Sequence, residues 1–367
     1  MPTAQKELLG DLLKATSRSF YLTLRVLPAR VRPQIGLAYL LARTTDTISD
    51  TELVPLEQRL DALHKLRERI LGSSTAPLNF GELAKQQGSP AERVLLEKAE
   101  DSLTLLPTFS PADLKLVRDV LTTIMGGQEL DLRRFAGASA EKIVALETAV
   151  ELDDYTYRVA GCVGEFWTKM CRAHLFPNAK LNDSFIIEFG ERDVGVERFF
   201  KRLDDSFLIQ LGVRLGKGLQ LVNILRDLPA DLHKGRCYLP TERLDAAGLI
   251  PEVLLSPANE KKFLPLFHGY LDKAEAHLAA GWTYTNTLPF GQFRVRLACA
   301  WPILIGVRTI EKLRAANVIE LQQRVKVSRE EVRGIVARSI LASPFPKAWR
   351  NLLPSPGKAV ASGGKLA

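Results

Sequence analysis

The chain has 367 residues, of which 46% are hydrophobic and 25% are charged, the balance of a globular protein with a sizeable core. Its net charge of +8 predicts an anionic partner, but the basic residues form no long run, which argues against nucleic acid. The four cysteines lack CxxC spacing, and we find neither a signal peptide nor an apolar run of about 20 residues. We therefore expect a reduced cytoplasmic monomer whose membrane contact, if any, is peripheral.

Apolar residues recur every three to four positions along most of the chain, which predicts helices. The clearest stretches are 54–71, 93–106, 111–135, 206–227, 261–283 and 329–341. The sequence "FSPAD" predicts a helix start, with Ser110 as N-cap and Pro111 at the first helical position. No stretch alternates as a strand would. We predict an all-α fold with one domain over 1–353 and a disordered tail over 354–367.

The first chemical signal follows a buried helix, "IGLAYLLAR" (35–43), at "TTDTISD" (44–50). Asp46 and Asp50 are four residues apart, so both carboxylates lie on one helix face. Two carboxylates directed at the same space predict a cation between them.

A second acidic pair occurs in "LGKGLQLVNILRDLPADLHKGRCYLP" (215–240). Asp227 and Asp231 are again four apart at the end of an apolar helix, and Gln220 and Asn223 precede them on the same face. Oxygen ligands without His or Cys favour Mg²⁺, with Mn²⁺ as a substitute, completed by waters and a substrate phosphate. The neighbouring basic residues Arg226, Lys234 and Arg236 suit diphosphate oxygens.

Simpler interpretations exist for each residue taken singly. One DxxxD pair usually marks a solvated helix face, although two pairs at the ends of apolar helices are hard to ascribe to chance. Tyr39 and Tyr155 are typical core tyrosines, and Arg18 and Arg43 are typical members of structural ion pairs. The five histidines are scattered without ligand-like spacing.

Over roughly residues 15–341 the chain resembles the squalene/phytoene synthase family. "SRSFYLTLRVLP" (17–28) is similar to the opening segment of the family, and "YLLARTTDTISD" (39–50) to its first aspartate-rich motif. "DYTYRVAGCVG" (154–164) matches its Tyr-x-x-x-Val-Ala-Gly segment, and "NILRDLPADLHKGRCYLP" (223–240) its second aspartate-rich motif. The ordered set of motifs is specific.

The resemblance implies the all-α type I isoprenoid synthase fold, in which acidic pairs hold Mg²⁺ across a central cavity and two prenyl diphosphates are joined head to head. The metal carboxylates implied by matching positions are Asp46, Asp50, Asp227 and Asp231, with Asn223 alongside. The diphosphate-binding positions are Arg18, Arg43, Arg226 and Arg236, of which Arg43 and Arg226 are also implied to be catalytic. Tyr155 falls where a tyrosine assists the first half-reaction, and Phe20 and Tyr39 where residues line the cavity.

Two departures from the family pattern bear on the metal site. The first motif lacks the acidic residue that squalene synthases often carry just before the second aspartate. Pro229 lies inside the second motif and disfavours helix, so we expect Asp231 just past the helix end.

The product depends on the C-terminal region. "CAWP" (299–302) and "VKVSREEV" (325–332) resemble squalene synthase segments near the reductive half of the active site. We therefore predict a squalene synthase (farnesyl-diphosphate farnesyltransferase) of sterol or hopanoid biosynthesis that uses NADPH, contacted by Asn223, Cys299, Pro302 and Lys326. No GxGxxG motif indicates a Rossmann site. The alternatives are a phytoene, dehydrosqualene or presqualene diphosphate synthase without reduction, and, more remotely, a non-catalytic assembly protein on the same fold.

Overall fold

The computed structural model describes residues 7–17, 20–177, 205–319 and 325–353, and this part of the chain is almost entirely helical. The helices of its first half are α1 (Leu13–Ser17), α2 (Phe20–Val26), α3 (Arg32–Asp50), α4 (Leu56–Leu71), α5 (Gly81–Lys85), α6 (Pro90–Glu97), α7 (Ala99–Thr104), α8 (Pro111–Arg134), α9 (Ala149–Thr156) and α10 (Cys162–Leu175). Those of its second half are α11 (Asp205–His233), α12 (Thr241–Ala246), α13 (Glu260–Thr287), α14 (Phe293–Arg314), α15 (Arg329–Ala342) and α16 (Pro346–Arg350). Shorter π-helical and 3₁₀ turns are Glu7–Leu12, Leu106–Thr108, Tyr157–Gly161, Pro251–Leu255 and Pro257–Asn259.

The all-α prediction is confirmed, and the start of α8 shows why local sequence was sufficient there. Ser110 caps the helix by accepting a hydrogen bond from the backbone N–H of Asp113 at 3.2 Å, and Pro111 is the first helical residue. The predicted helix 93–106 is instead two helices, α6 and α7, that meet at Lys98. The tail over 354–367 lies outside the described residues.

Two short strands, which no alternating pattern in the sequence indicated, add to the all-α fold. β1 (Val144–Ala145) and β2 (Arg236–Cys237) pair in parallel, with Val144 opposite Arg236. Strands of two residues are too short to show the alternation by which a strand is recognised in a sequence. The pairing fixes the chain just after α11.

The expected break at Pro229 is also wrong, because α11 continues through Pro229 to His233 and Asp231 is helical. Proline removes one backbone donor, but tertiary packing can outweigh that loss. Leu228 and Leu232, on either side of Asp231, are both 1% exposed. Their burial holds the last turn of α11 against the core.

Helices α10 and α11 cross at very close range through glycines. A Cβ added to Gly164 would lie 1.9 Å from the carbonyl oxygen of Gly212, and one added to Gly216 would lie 2.1 Å from that of Ala160. Only glycine fits where two backbones approach this closely. The contact positions the Val-Ala-Gly segment against α11.

Helices α3 and α11 end at the same side of the molecule. Glu52, just after α3, pairs with Arg236, just after α11, at 2.8 Å. Helix α13 runs antiparallel to α11, since Gly218 lies against His277 and Gly281 against Leu215. Among the described residues, no helix is both long enough and apolar enough to cross a bilayer.

Candidate active site

A cavity of about 830 Å³ lies where α3 and α11 end. It is lined on one side by α3 and α8, on another by the loop 135–141, and on a third by the chain that follows α11. A cavity of this size suits a small-molecule substrate. The predicted site residues among its lining are Asp46, Asp50, Tyr155, Gln220, Lys234 and Arg236.

The first acidic pair lies in the last turns of α3, as the sequence predicted. Burial in the cavity wall and repulsion from Asp50 raise the pKa of Asp46 to about 7. Burial also raises the pKa of Asp50, against the attraction of Arg43, Arg236 and Lys234. Asp46 and Asp50 are thus neighbouring carboxyls whose ionised forms are disfavoured, and a bound cation would favour the ionised forms.

Arg43, one turn before Asp46, is held by two acids. Its guanidinium lies 3.6 Å from Asp46 and makes a closer ion pair with Glu92 on α6. Both the structural ion pair and the diphosphate contact foreseen for Arg43 are therefore compatible with its position.

The second acidic pair lies in the last two turns of α11. Asp227 forms a two-pronged contact with the neighbouring Arg226, whose Nε donates at 3.0 Å. Burial and repulsion from Asp227 raise the pKa of Asp231 to about 7. Neither aspartate is among the residues that line the described cavity.

The two pairs are nevertheless electrostatically linked. The pKa values of Asp231 and Asp50 are both raised overall, and in each case the positive charges of Arg236 and Lys234 partly offset the increase. Both cations also pair with Glu52, at 2.8 and 3.5 Å. The acidic pairs of α3 and α11 thus flank one group of basic residues.

Arg59 is a basic residue of the cavity that the sequence analysis did not select. It lies in α4, lines the cavity and donates to the carbonyl oxygen of Ser49 at 2.8 Å. Burial and the proximity of Arg236 lower its pKa. Its position in a predicted helix gave no sign that it faces Arg236.

A pair of stacked tyrosines, Tyr155 and Tyr238, forms part of the cavity wall. Tyr155 is 9% exposed, and its ring lies 4.6 Å from that of Tyr238. Gln220 on α11 donates to the Tyr155 hydroxyl at 3.4 Å, and Asn223 donates to Gln220 at 3.4 Å. The predicted residues Tyr155, Gln220 and Asn223 are therefore connected.

Three further residues of the site were missed, all of them polar and all lining the cavity. Tyr238 donates to Asp131 at 2.9 Å, and Gln128 donates to Asp46. Burial raises the pKa of Asp131 to about 6. A carboxylate and an amide three residues apart in the apolar helix α8 were the available signal.

Other predicted residues lie away from the described cavity lining. Phe20 and Tyr39 stack on each other with centroids 5.1 Å apart. Cys299 is 3% exposed in α14, where burial raises the pKa of its thiol to about 12. Pro302 lies inside α14, and the carbonyl of the exposed Lys326 accepts a hydrogen bond from Lys312. Arg18 lies outside the described residues.

The donor set fits a magnesium ion only as a site completed by other ligands. Across the described ranges, no three acidic, histidine or cysteine side chains come together as a metal-binding group. Each pair offers two carboxylates, and Mg²⁺ usually keeps several waters and takes substrate phosphate oxygens. Besides burial, repulsion from Asp50 raises the pKa of Asp46, and a bound cation would remove that repulsion.

The comparison with protein families gives a match over residues 13–331 to the model described as squalene/phytoene synthase. The chain is 31% identical over 251 residues to a bifunctional lycopene cyclase/phytoene synthase of Phaeosphaeria nodorum. The aligned region covers 67% of this chain and 36% of that protein. It is 31% identical over 235 residues to the presqualene diphosphate synthase of Sinorhizobium fredii, covering 64% of this chain and 62% of that one. The chain spans 36% to 46% of the length of the first bifunctional relatives it matches.

Solved structures share the fold at low sequence identity. A complex of TcSQS with the ligand E5700 has a TM-score of 0.72 at 19% identity, covering 95% of this chain and 90% of the other. A dehydrosqualene synthase in complex with a ligand has a TM-score of 0.60 at 20% identity, covering 93% and 98%. The squalene synthase HpnC from Alicyclobacillus acidocaldarius has a TM-score of 0.56 at 17% identity, covering 86% and 97%.

Proposed function

The chain belongs to the squalene/phytoene synthase family, and from that premise we propose that it joins two prenyl diphosphates head to head in the cavity between α3 and α11. The observation that carries this proposal is that Asp46 and Asp50 line the same cavity of about 830 Å³ as Lys234 and Arg236. Carboxylates for a metal and cations for phosphate oxygens are the groups that departure of a diphosphate requires.

Divalent cations held at the two acidic pairs, Asp46 with Asp50 and Asp227 with Asp231, would supply charge that stabilises the departing diphosphate. The chain's own cations act on the same oxygens. At the cavity Lys234 is exposed and Arg236 is partly buried, and each is paired with Glu52, an acid that a diphosphate would replace. The basic residues are thus already positioned where an anion is to bind.

We propose the following course for the first half-reaction. The C–O bond of the donor breaks, diphosphate leaves with the electron pair, and the acceptor's double bond attacks the allylic cation. Loss of a proton then closes a cyclopropane and gives presqualene diphosphate. The apolar side chains of Leu56, Leu132, Phe135 and Val159 form part of the cavity wall, where they would shield the cation from water that would otherwise trap it as an alcohol.

We further propose that the substrate is farnesyl diphosphate and that a second ionisation, followed by hydride transfer from NADPH, yields squalene. Support comes from the C-terminal segments "CAWP" and "VKVSREEV". The structure gives the region after α13 a firm place in the fold, because Trp349 on α16 is 1% exposed and donates to Asn286 at 2.9 Å.

Formation of presqualene diphosphate without reduction is the second candidate. The chain is 28% identical to the presqualene diphosphate synthase of Rhodopseudomonas palustris, over 75% of this chain and 77% of that protein. In addition, the predicted cofactor residues Cys299, Pro302 and Lys326 are not among the described residues of the cavity wall.

One assay separates these reactions. The purified chain is incubated with farnesyl diphosphate and Mg²⁺, with and without NADPH, and in parallel with geranylgeranyl diphosphate. We expect squalene with NADPH, and presqualene diphosphate or unreduced C30 products without it. Presqualene diphosphate regardless of NADPH would establish the second candidate, and preferential phytoene formation would overturn the choice of substrate. Absence of any condensation under all conditions would favour a non-catalytic protein.

A further inference from the structure

Two segments of the chain contain no acidic residue, namely 276–310 and 332–367. Together they hold 71 residues, in which the chain average of 42 acidic residues in 367 would place about eight. Their basic residues are therefore not neutralised from within the same segments. The two segments meet where Trp349 of α16 donates to Asn286 near the end of α13.

Exposed aromatic rings accompany these basic residues. Phe290 and Phe293, at the turn between α13 and α14, are each 52% exposed, and Phe345, just before α16, is 63% exposed. The guanidinium of Arg296 lies 5.3 Å from the ring centre of Phe290 and 4.7 Å from that of Trp349, which joins the two segments. Exposed rings grouped in this way mark an interaction surface. We use the name aromatic–basic face for the surface formed by Phe290, Phe293, Arg294, Phe345, Lys347 and Arg350.

The positive charge of this face continues onto the start of α3. Arg294 donates to the carbonyl oxygens of Val26 and Leu27, at 2.8 and 3.2 Å, and Arg32 donates to the same oxygen of Leu27 at 3.1 Å. Two guanidinium groups thus converge on one carbonyl without a carboxylate among their described partners. Burial and the proximity of Arg294 lower the pKa of Arg32.

The face lies at the end of the helices opposite to the acidic pairs. Arg32 begins α3 and Asp46 lies fourteen residues later, which corresponds to about 21 Å of helix. Helix α13 runs antiparallel to α11, so its last residue lies at the end of α11 remote from Asp227. The molecule therefore has a diphosphate-binding end and, across the length of the helices, an aromatic–basic end.

We propose that the aromatic–basic face docks on the surface of a membrane that contains anionic lipids. Phenyl rings at the headgroup boundary and adjacent basic side chains are the two attractions that hold peripheral proteins on such surfaces. A second copy of the chain fits less well, because a symmetric contact would bring basic residues against basic residues. Docking would place the aromatic–basic end of the molecule next to the membrane interior, in which a long hydrocarbon dissolves.

The test is flotation of the full chain with phosphatidylcholine vesicles, with and without phosphatidylglycerol, in the absence of substrate. We expect the bound fraction to rise with phosphatidylglycerol and to fall at high salt. The double variant Phe290→Ser/Phe293→Ser should lower the partition coefficient about tenfold, because two rings no longer enter the interface. Lys347→Ala/Arg350→Ala should lower it about twentyfold on the anionic vesicles, and much less on phosphatidylcholine alone.

Two controls match these variants away from the face. Lys65→Ala/Lys115→Ala removes the same two charges from α4 and α8, and Val150→Ser removes an apolar side chain that is 77% exposed. Both controls should bind within about twofold of the parent chain. Equal binding to both kinds of vesicle, or equal losses in controls and face variants, would overturn the proposal. So would light scattering that shows dimers dispersed by the face variants. Since no substrate is present, a failure here is independent of whether the chain condenses prenyl diphosphates.

Discussion

The ring of Tyr238 stacks on the ring of Tyr155, with centroids 4.6 Å apart and planes inclined by 25°. The hydroxyl of Tyr238 donates to Asp131 at 2.9 Å. The ring of Tyr238 therefore links Tyr155 to the carboxylate of Asp131. Burial raises the pKa of both phenols well above the usual range. The negative charge of Asp131 raises the pKa of Tyr155 further. Both hydroxyls therefore remain hydrogen-bond donors at neutral pH.

Replacing Tyr155 with Phe removes a neutral donor from the cavity wall while keeping the stacked ring. We expect formation of presqualene diphosphate to fall about a hundredfold, because one donor to a developing anion is lost. Reduction of supplied presqualene diphosphate should fall less. Single-turnover measurements of each half-reaction test this. Tyr238→Phe is the matched control, since it loses a hydroxyl that is directed at Asp131; equal losses in both half-reactions for Tyr155→Phe would indicate packing.

Asn in place of Asp46 or Asp227 keeps the side-chain volume and removes a negative charge from each acidic pair. Turnover should fall at least about a hundredfold, while the far-UV circular dichroism of the helices is retained. Asp61→Asn, on the exposed surface of α4, is the control and should leave turnover unchanged. Chelation should silence the parent chain and Mg²⁺ should restore it. Near-normal activity of either variant, or in excess chelator, would contradict a metal role.

The stability of the metal-free protein should decrease as the pH rises. The pKa values of Asp46 and Asp231 are about 7 and that of Asp131 is about 6, each chiefly because of burial. A carboxyl with a higher pKa in the folded chain than its unfolded value of about 4 takes up protons on folding. Its stabilisation is complete at low pH and is lost as the pH rises through the folded-state value.

Calorimetric Tm values of the metal-free protein, measured from about pH 4 to pH 8, check this direction. Asp46→Asn should flatten the decline, because the amide does not titrate. Mg²⁺ should recover part of the lost stability at the high end of the range. A Tm that rises steadily toward pH 8 would show that these carboxyls are not strained in the folded chain.

Alanine at Gly164 should destabilise the protein strongly. Its Cβ would lie 1.9 Å from the backbone oxygen of Gly212, so α10 and α11 would have to separate. We expect a loss of about 3 kcal/mol or more in the free energy of unfolding from urea denaturation. Gly269→Ala is the matched control, since nothing lies within 4 Å of a Cβ there, and it should stabilise α13 by about 0.5–1 kcal/mol. Similar effects at both glycines would contradict the close helix crossing.

The predicted residues that the structure places at helix ends share a local signature. Asp46 and Asp50 end an apolar helix, and Ser110 and Pro111 form a helix start, so each could be recognised from a few neighbours. The acidic pair of α11 was recognised in the same way. Only the effect of Pro229 was misjudged, because burial of Leu228 and Leu232 depends on residues far away in the sequence.

The residues that were missed acquire their role through tertiary contacts. Asp131 and Gln128 lie in the last two turns of α8, where a polar residue looks like part of a solvated face. Packing of α8 against α3 is what brings Gln128 to Asp46, 82 positions away in sequence. Conversely, a short sequence match could locate Cys299 without showing that its thiol is turned into the core.

Helices α3 and α11 both direct their C-terminal ends at the cavity, ending at Asp50 and His233. The aligned peptide dipoles of a helix place about half a negative charge at that end. Two such ends and the carboxylates of Asp46 and Asp50 add negative charge to a cavity that Arg59, Lys234 and Arg236 also line, so a bound divalent cation would raise the affinity of the cavity for a diphosphate. We therefore expect ordered binding, in which substrate affinity is weak until the divalent cation concentration is sufficient. The activity of this chain would then respond to the free Mg²⁺ of its surroundings as well as to its supply of prenyl diphosphate.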